Sequence, residues 1–228
     1  MAASAILVAA GSSRRMGFDK LGVELAGKPV LAWSIEAFES CPDISEIVVV
    51  ASDERFGDLE KWQSSFGWKK VSRIVSGGAE RHLSVWNGLE AIDAGSEFAA
   101  VHDGARPLIQ PKAISLCLES AGQFGAAVLG HPVTDTLKRA DSKGEKVESS
   151  VSRENLWAME TPQCFSVELL KEAYGKILST GEIVTDEVSA LQKLGREIRL
   201  IENPDPNPKI TFRGDLIVAG AILENRDY

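Results

Sequence analysis

Residues 5–20 read AILVAAGSSRRMGFDK, and they contain the clearest structural signal in the chain. Its first half is apolar and contains branched side chains, which predicts a buried β-strand. The strand gives way to the small residues Ala9, Ala10 and Gly11, and several cationic side chains follow. Small residues let backbone N–H groups come close to a phosphate. A phosphate-binding loop and a tight surface turn with solvated arginines both fit this stretch alone.

Similar apolar runs alternate with helical segments along most of the chain. The run EIVVVA at 46–51 is apolar without alternation, which is typical of a strand buried on both faces. Shorter strand-like runs follow at 71–75, 98–101 and 126–129, with helical spacing of apolar residues between them. This order predicts right-handed βαβ units. We therefore expect an α/β fold, a Rossmann-like three-layer sandwich with a mostly parallel central sheet.

The alternation breaks at about residues 134–152. Two strand-like runs, 136–139 and 147–151, flank the polar turn DSKG at 141–144, which predicts a protruding β-hairpin arm. Two strands alone are barely stable in water, so the arm needs a surface to pack on. We expect a second copy of the chain to supply it. No linker divides the 228 residues, so the sequence predicts a single domain over 1–228 with this arm for dimerisation.

Composition excludes several classes of protein. Hydrophobic residues make up 44% and charged residues 25%, as in ordinary globular proteins. The net charge of -8 argues against nucleic acid or an anionic membrane as a partner. No uncharged apolar run approaches the roughly 20 residues that a bilayer requires. The sparse cysteines, Cys41, Cys117 and Cys164, are predicted to be core residues of a cytoplasmic protein.

A second glycine-containing motif, GGAERHLSV at 77–85, is predicted to open a helix. Its first turn would carry Arg81 and Ser84. Free N–H groups at the start of a helix favour an anion or a polar base edge. Plain helix initiation is the alternative interpretation.

The third motif, HDGARP at 102–107, follows the strand that we expect to end at Val101. A carboxylate at the end of a strand, here Asp103, suits Mg²⁺, which prefers one or two carboxylates together with substrate phosphates. An aspartate that only caps a turn is the alternative.

Other chemistries are disfavoured. The stretch GVELAGKP at 22–29 nearly fits a P-loop, but Pro29 has no hydroxyl group for Mg²⁺. The histidines, His82, His102 and His131, lie in no nucleophile-elbow context and are predicted to be structural. What remains at the strand ends is cations, glycines and one aspartate. Such a set favours phosphoryl or nucleotidyl transfer, which depends on positioning and on charge neutralisation.

Taken together, these motifs resemble the 2-C-methyl-D-erythritol 4-phosphate cytidylyltransferases of the non-mevalonate isoprenoid pathway. The resemblance spans nearly the whole chain in order. Besides the three motifs, it rests on four further blocks: PVTDTLK at 132–138, Arg153 through TPQ at 161–163, TDE at 185–187, and NPKIT at 207–211.

The resemblance implies that CTP and a sugar-alcohol phosphate are the substrates, with Mg²⁺ or another divalent cation bridging the phosphates. It implies a catalytic role for Arg15 and Lys20, a metal-binding role for Asp103, and a homodimer joined through the arm. The residues implied for CTP are Ala9, Ala10, Gly11, Ser13, Gly78, Arg81, Ser84, Gly104 and Arg106. Those implied for the sugar phosphate are Thr136, Arg153, Thr161 and Lys209.

This sequence also departs from the family's pattern. Ala79 stands where a carboxylate is frequent, Ser13 replaces a common glycine, and Pro208 replaces an aliphatic residue. The neighbours of Lys20, Asp19 and Leu21, replace the usual proline and glutamine. Two alternatives remain open at this point: a cytidylyltransferase for ribitol 5-phosphate or a related pentitol phosphate, and a non-catalytic nucleotide-binding subunit.

A net negative charge is compatible with small anionic substrates if the cations gather locally. We expect such a cationic cleft at the strand ends, formed by Arg14, Arg15, Lys20, Arg81, Arg106, Arg153 and Lys209.

Overall fold

The computed structural model describes residues 2–11 and 17–226, and the predicted apolar runs form its central strands. The strands are β1 (Ala3–Ala9), β2 (Glu24–Leu25), β3 (Lys28–Pro29), β4 (Glu46–Ala51), β5 (Val71–Ser76), β6 (Phe98–Asp103), β7 (Ala126–Pro132), β8 (Leu137–Ala140), β9 (Val147–Val151), β10 (Trp157–Ser166) and β11 (Arg199–Glu202). The α-helices are α1 (Val30–Ser40), α2 (Phe56–Phe66), α3 (Arg81–Ala91), α4 (Pro111–Phe124), α5 (Val167–Thr180), α6 (Glu187–Gln192) and α7 (Arg213–Glu224).

Seven of these strands form one sheet in the order β11-β7-β10-β6-β1-β4-β5. Strand β1 pairs in parallel with both β4 and β6, and the β4–β5 and β7–β11 pairs are also parallel. Only β10 runs antiparallel to its neighbours within this sheet as described, and it lies between β6 and β7. The predicted mostly parallel α/β sheet is therefore confirmed.

Hydrophobic cores cover both faces of the sheet, because successive side chains of a strand point to opposite sides. On β1, Leu7 faces the core formed with α1 and α4, whereas Ile6 faces the core formed with α3 and α5. Cys41, Cys117 and Cys164 are free and buried, as predicted. None of the described helices is both long and apolar enough to cross a membrane.

The predicted hairpin is present as β8 and β9, which pair with each other in a separate two-stranded sheet. Nearly all of its side chains are exposed, so within this chain the arm buries little surface. Its proposed packing against a second copy remains a prediction.

The structure extends the predicted pattern at several places. Strand β6 continues two residues past Val101, so His102 and Asp103 belong to the strand rather than to the turn after it. Strands β10 and β11 and helix α7 were not predicted. In β10 the polar residues Glu160, Thr161 and Gln163 are buried, which hides the apolar pattern of a central strand.

Candidate active site

The carboxyl ends of β1 and β6 open into a cavity of about 460 Å³. The two strands are in register there, with Val8 opposite Asp103. In parallel sheets ligands bind beyond the carboxyl ends of the strands, so the fold places the cavity where a ligand is expected. The cavity is lined by Val8, Ala10, Gly11, Lys20, Leu21, Gly78, Ala79, Glu80, Arg81, Ser84, Asp103, Ala105 and Lys209.

The predicted glycine turn lies directly before α3 and leaves no room for larger residues. A Cβ atom at Gly77 would lie 2.2 Å from the Cβ of Ala10, and one at Gly78 would lie 2.4 Å from the Cβ of Leu83. The hydroxyl of Ser84 accepts a hydrogen bond from the Gly78 N–H at 3.0 Å. This bond connects the glycine turn to the start of α3, and both Gly78 and Ser84 line the cavity.

Asp103 is the most buried charged side chain lining the cavity, and cations surround it. Its Oδ1 accepts hydrogen bonds from Arg81 Nε at 3.2 Å and Nη2 at 3.1 Å, and its Oδ2 accepts one from Lys209 Nζ at 2.8 Å. Burial by itself would raise the pKa of Asp103. The charges of Arg81, Lys209 and Arg106 outweigh burial and hold this pKa well below its usual range, so Asp103 is a carboxylate.

Behind Arg81 lies a second buried carboxylate, Glu187. Arg81 Nη1 donates to its Oε1 at 2.7 Å, and Nη2 donates to its Oε2 at 3.2 Å. The Tyr174 hydroxyl donates to the same Oε1 at 2.9 Å. Burial would lower the pKa of Arg81, but the charges of Glu187 and Asp103 outweigh it and raise this pKa, so Arg81 is a permanent cation.

Lys20 enters the cavity from the stretch after β1. Its Nζ donates to the Ile210 carbonyl at 2.8 Å, which links this stretch to the C-terminal part of the chain. The neighbouring Asp19 accepts from Arg55 Nη1 at 2.8 Å and from the Leu21 N–H at 3.2 Å. Through these contacts Asp19 connects the backbone on both sides of Lys20 and joins it to Arg55.

Lys209 comes from the proline-containing segment 203–210. Asn203 and Asn207 anchor this segment by donating to Glu160 Oε2 at 2.8 and 2.9 Å. Arg106 Nη1 donates to the Asn207 carbonyl at 2.8 Å. A loop without regular secondary structure therefore holds its lysine over Asp103 by side-chain contacts with β10 and with the turn after β6.

His102 lies beneath Asp103 and takes part in a chain of hydrogen bonds. The Asp103 N–H donates to Thr161 Oγ1 at 3.0 Å, Thr161 Oγ1 lies 3.0 Å from His102 Nδ1, and His102 Nε2 lies 3.2 Å from the Arg106 carbonyl. If the neutral imidazole carries its proton on Nε2, it donates to the Arg106 carbonyl and its Nδ1 accepts from the Thr161 hydroxyl, so each donor of this network has an acceptor. Burial lowers the pKa of His102 to about 3. The histidine is structural, as predicted.

The structure gathers many of the predicted site residues around the cavity. Among the described residues, those that line it are Ala10, Gly11, Lys20, Gly78, Arg81, Ser84, Asp103 and Lys209. Ser13, Arg14 and Arg15 lie outside the described residues. The cationic cleft is thus present in its described part as Lys20, Arg81 and Lys209, with Arg106 behind them.

Other predicted residues lie beside the cavity without lining it, as far as the described residues show. Ala9 is buried in the core, and a Cβ atom at Gly104 would lie 2.7 Å from Leu31 Cδ1, so both are packing positions. Arg106 and Thr161 are held by the hydrogen bonds described above and support Asp103 and Lys209.

Thr136 and Arg153 are exposed at the base of the arm and do not line the described cavity. The Arg153 guanidinium donates to the Thr134 carbonyl, which joins the two ends of the arm. Their predicted contact with a sugar phosphate therefore requires either movement of the arm or a second copy of the chain.

The carboxylates of the cavity can take part in binding a divalent cation. No group of three or more acidic, histidine or cysteine side chains forms a complete metal site within 2–11 and 17–226. Mg²⁺ needs only one or two carboxylates when substrate phosphates and water complete its shell. Asp103 is ionised and Glu80 also lines the cavity, so the residues present fit such a shared site.

Several residues of the site were not assigned from the sequence. Glu187 belongs to the block TDE at 185–187 and Asn207 to the block NPKIT at 207–211, but the sequence indicates no role for either residue. Tyr174 and Glu160 carried no signal, because an isolated tyrosine or glutamate does not reveal a buried polar contact. Glu80 lies inside the second motif, whose predicted chemistry rests on its basic neighbour Arg81, and it lines the cavity.

The chain is similar to proteins of one family along nearly its whole length. The family model described as IspD, 2-C-methyl-D-erythritol 4-phosphate cytidylyltransferase, matches residues 3–225. A protein of that name from Caldanaerobacter subterraneus subsp. tengcongensis is 41% identical over 226 residues, which cover 98% of this chain and 99% of the relative. One from Geobacillus thermodenitrificans is 36% identical over 224 residues and 97% of each chain.

Solved structures agree with these relatives. The 4-diphosphocytidyl-2C-methyl-D-erythritol synthase of Anaerococcus prevotii superposes with a TM-score of 0.85 at 27% identity, over 98% of this chain and 96% of that one. The 2-C-methyl-D-erythritol 4-phosphate cytidylyltransferase of Thermus thermophilus gives 0.80 at 30% identity, over 98% of this chain and 100% of that one.

Proposed function

The chain belongs to the 2-C-methyl-D-erythritol 4-phosphate cytidylyltransferase family, and we propose that the cavity at the ends of β1 and β6 is its active site. Its activity is the transfer of a cytidylyl group from CTP to 2-C-methyl-D-erythritol 4-phosphate in isoprenoid biosynthesis. The relatives do not favour transfer to a pentitol phosphate or a non-catalytic role. The observation that carries the assignment of the site is the contact of Lys209 and Arg81 with Asp103, within a cavity that Lys20 also lines.

The reaction needs positioning and positive charge rather than a general base. A phosphate oxygen of the acceptor forms a bond to the α-phosphorus of CTP, the bond from that phosphorus to the bridging oxygen breaks, and pyrophosphate leaves. Because the second pKa of a phosphate monoester is about 6, the nucleophile is already ionised near neutral pH. The neutral, fully buried His102 has no part in proton transfer.

CTP is proposed to lie against the backbone of Ala10, Gly11 and Gly78, with its triphosphate beside Lys20. By resemblance, Arg15 and Ser13, which lie outside the described residues, belong to the same subsite. A lysine at this position stabilises the charge that develops on the triphosphate. Loss of such a group costs about 10²- to 10³-fold in rate.

A divalent cation, most simply Mg²⁺, is proposed to bind at Asp103. When bound, it would supply further charge neutralisation on the phosphates. Arg81 holds the Asp103 carboxylate from one side. Lys209 Nζ contacts Asp103 Oδ2 at 2.8 Å, and the Lys209 side chain is 41% exposed.

The sugar phosphate is proposed to bind next to Lys209, in a site completed by a second copy of the chain. Thr136 and Arg153 are exposed at the base of the arm and lie outside this chain's own described cavity. In a homodimer, the arm of the partner copy could bring the same two residues to the cavity. Thr161, which the resemblance assigns to the sugar phosphate, accepts a hydrogen bond from the Asp103 N–H and lies outside the lining of the described cavity.

A location in the cytoplasm is proposed as well. Three free cysteines are stable in a reducing compartment, and all three are buried here as thiols.

The test of this proposal is a comparison of acceptors. Wild-type protein is supplied with CTP and Mg²⁺ and with either 2-C-methyl-D-erythritol 4-phosphate or ribitol 5-phosphate, and pyrophosphate release is followed. We expect the higher kcat/KM with the methylerythritol phosphate. Faster turnover of ribitol 5-phosphate would overturn the assignment of 2-C-methyl-D-erythritol 4-phosphate as the acceptor. CTP binding without pyrophosphate release from either acceptor would support a non-catalytic subunit.

A further inference from the structure

Glu187 is a fully buried carboxylate that the mechanism does not use. Its side chain is 0% exposed, and it lies at the first residue of α6, outside the lining of the cavity as the described residues show it. A buried charge is strongly disfavoured unless it is paired and hydrogen-bonded. Here the partners are Arg81 on one side and the Tyr174 hydroxyl on the other.

The geometry around Arg81 shows what this pairing does. Its Nη1 and Nη2 contact the two oxygens of Glu187, while its Nε and the same Nη2 contact only Oδ1 of Asp103. A guanidinium is planar and rigid, so a bidentate pair on one edge fixes the direction of the other edge. Glu187 therefore determines which oxygen of Asp103 Arg81 can reach.

The other oxygen, Oδ2 of Asp103, is not contacted by Arg81. Lys209 Nζ lies 2.8 Å from it, on a side chain that is 41% exposed, and Arg106 Nε lies 3.9 Å away. Without Glu187, the Arg81 guanidinium would be free to turn and form a bidentate ion pair with both oxygens of Asp103. Such a pair would compete with any cation that approaches Oδ2.

We propose that Glu187, supported by Tyr174, is a positioning residue that holds Arg81 on Oδ1 of Asp103 and so keeps Oδ2 available to the divalent cation of the nucleotide complex. The inference rests on the proposed function, because it takes Asp103 as the carboxylate that the cation meets. Neither residue touches the cavity among the described residues, so both act through Arg81.

The test measures cation binding without turnover. Mn²⁺ serves as the probe, and its affinity for the protein with bound CTP is measured by electron paramagnetic resonance in the absence of acceptor. We expect E187Q to weaken Mn²⁺ binding about 10- to 100-fold, as loss of a group that orients a metal ligand typically does. E187Q keeps the shape of the side chain and removes its charge.

Glu46 supplies a matched control, because it is also a hydrogen-bonded carboxylate. It accepts from Ser4, Ser72 and the Asp93 N–H at the start of β4, at the opposite end of the sheet from the cavity. E46Q is expected to bind Mn²⁺ as the wild type does. Because both variants lose a hydrogen-bonded carboxylate, an effect confined to E187Q separates positioning from a general loss of stability.

Y174F provides a second variant that keeps every charge in place. It is expected to weaken Mn²⁺ binding by a smaller factor, about threefold, because it removes one hydrogen bond to Glu187. Wild-type Mn²⁺ affinity in both E187Q and Y174F would overturn the proposal. If E187Q does not fold, wild-type affinity in Y174F alone overturns it.

Turnover of CTP and methylerythritol phosphate by the wild type is measured alongside. Failure of that turnover would contradict the proposed function, whereas the Mn²⁺ affinities decide the role of Glu187 separately.

Discussion

Gly22 packs directly against the ion pair that fixes Lys20. A Cβ atom there would lie 2.4 Å from Asp19 Oδ2 and 3.4 Å from Arg55 Nη1. We therefore expect G22A to push the Asp19 carboxylate off Arg55 and to loosen the backbone of Lys20. We propose that Lys20 acts on the triphosphate, and misplacement of such a group by about 1 Å can cost up to about 10²-fold in rate, so kcat/KM for CTP should fall about 10- to 10²-fold.

Stability should change little in the same variant. Asp19 is 49% exposed, and exposed ion pairs contribute only about 0–1 kcal/mol. G57A is the matched control, because a Cβ atom at Gly57 on α2 meets nothing within 4 Å. Steady-state kinetics and urea unfolding of both variants check this prediction. Equal kcat/KM in G22A and G57A would show that the Asp19–Arg55 pair does not position Lys20.

His102 makes a separate prediction about pH. The unfolded chain protonates this histidine as the pH falls below 6.5, whereas in the folded chain burial lowers its pKa to about 3. Between these values only the unfolded state gains the proton, so the unfolding free energy falls as the pH falls. The slope from this group is about 1.4 kcal/mol per pH unit.

Urea unfolding of wild type and H102Q between pH 6 and about pH 4.5 measures that slope. Both proteins retain His82 and His131, so their difference reports His102 alone. The wild type should lose stability more steeply than H102Q as the pH falls. Parallel curves would mean that His102 can be protonated inside the fold.

At the scale of elements, the segment 203–210 depends on one carboxylate of β10. Glu160 accepts from Asn203 and Asn207, and its Oε1 lies 2.7 Å from His131 Nδ1. E160Q can keep its amide oxygen on both asparagines, but it removes the negative charge from the two hydrogen bonds. Because a hydrogen bond to a charged group contributes about 1.5–3 kcal/mol and a neutral one about 0.5–1.5 kcal/mol, we expect the unfolding free energy to fall by about 2–3 kcal/mol.

The same substitution should raise KM for the sugar phosphate, because the segment carries Lys209. H131A is the control, since His131 is 52% exposed and its loss leaves both asparagine contacts intact. Calorimetric unfolding and acceptor kinetics check the pair of variants. An E160Q protein with wild-type KM and stability would exclude Glu160 as the anchor of this segment.

The arm formed by β8 and β9 predicts the oligomeric state. Its strands pair only with each other among the described residues, and a two-stranded sheet is marginal in water. We expect the full chain to be a dimer at micromolar concentration in light scattering. Replacement of 137–151 by a short glycine-serine linker should give a folded monomer. A monomeric full chain would refute the role of the arm.

The sequence predicted those elements whose burial produces a simple pattern. The parallel strands β1 and β4 are apolar apart from Ser4 and Glu46 near their starts, and the glycine turn before α3 was visible from its spacing. Strand β10 was not predicted, because it buries the polar side chains Glu160, Thr161 and Gln163 and therefore lacks the apolar pattern of a central strand. Strand β11 escaped because it is short and mostly exposed.

Residues of the candidate site could be predicted only where a single sequence motif contains them. The cavity contributions of Gly78, Arg81 and Asp103 followed from single motifs. The bridge from Glu187 through Arg81 joins residues 106 positions apart, and no local pattern encodes such a contact. The resemblance assigns Gly104 and Thr161 to the substrates, and neither lines the described cavity.

For the whole molecule, the net charge of -8 conceals a local excess of cations. Lys20, Arg81 and Lys209 line one cavity with Asp103 and Glu80. They come from separate parts of the chain and meet because parallel strands end at the same edge of the sheet. An acidic protein can therefore bind two anionic substrates without attracting long polyanions.

The most direct test of this account is the acceptor kcat/KM of K209M compared with that of K112M. Lys112 is an exposed lysine on α4 that lies outside the cavity, so the two variants lose the same charge at different places. We predict that K209M loses about 10²- to 10³-fold in kcat/KM for 2-C-methyl-D-erythritol 4-phosphate, while K112M stays at the wild-type value. Equal values for the two variants would contradict the assignment of this cavity as the active site.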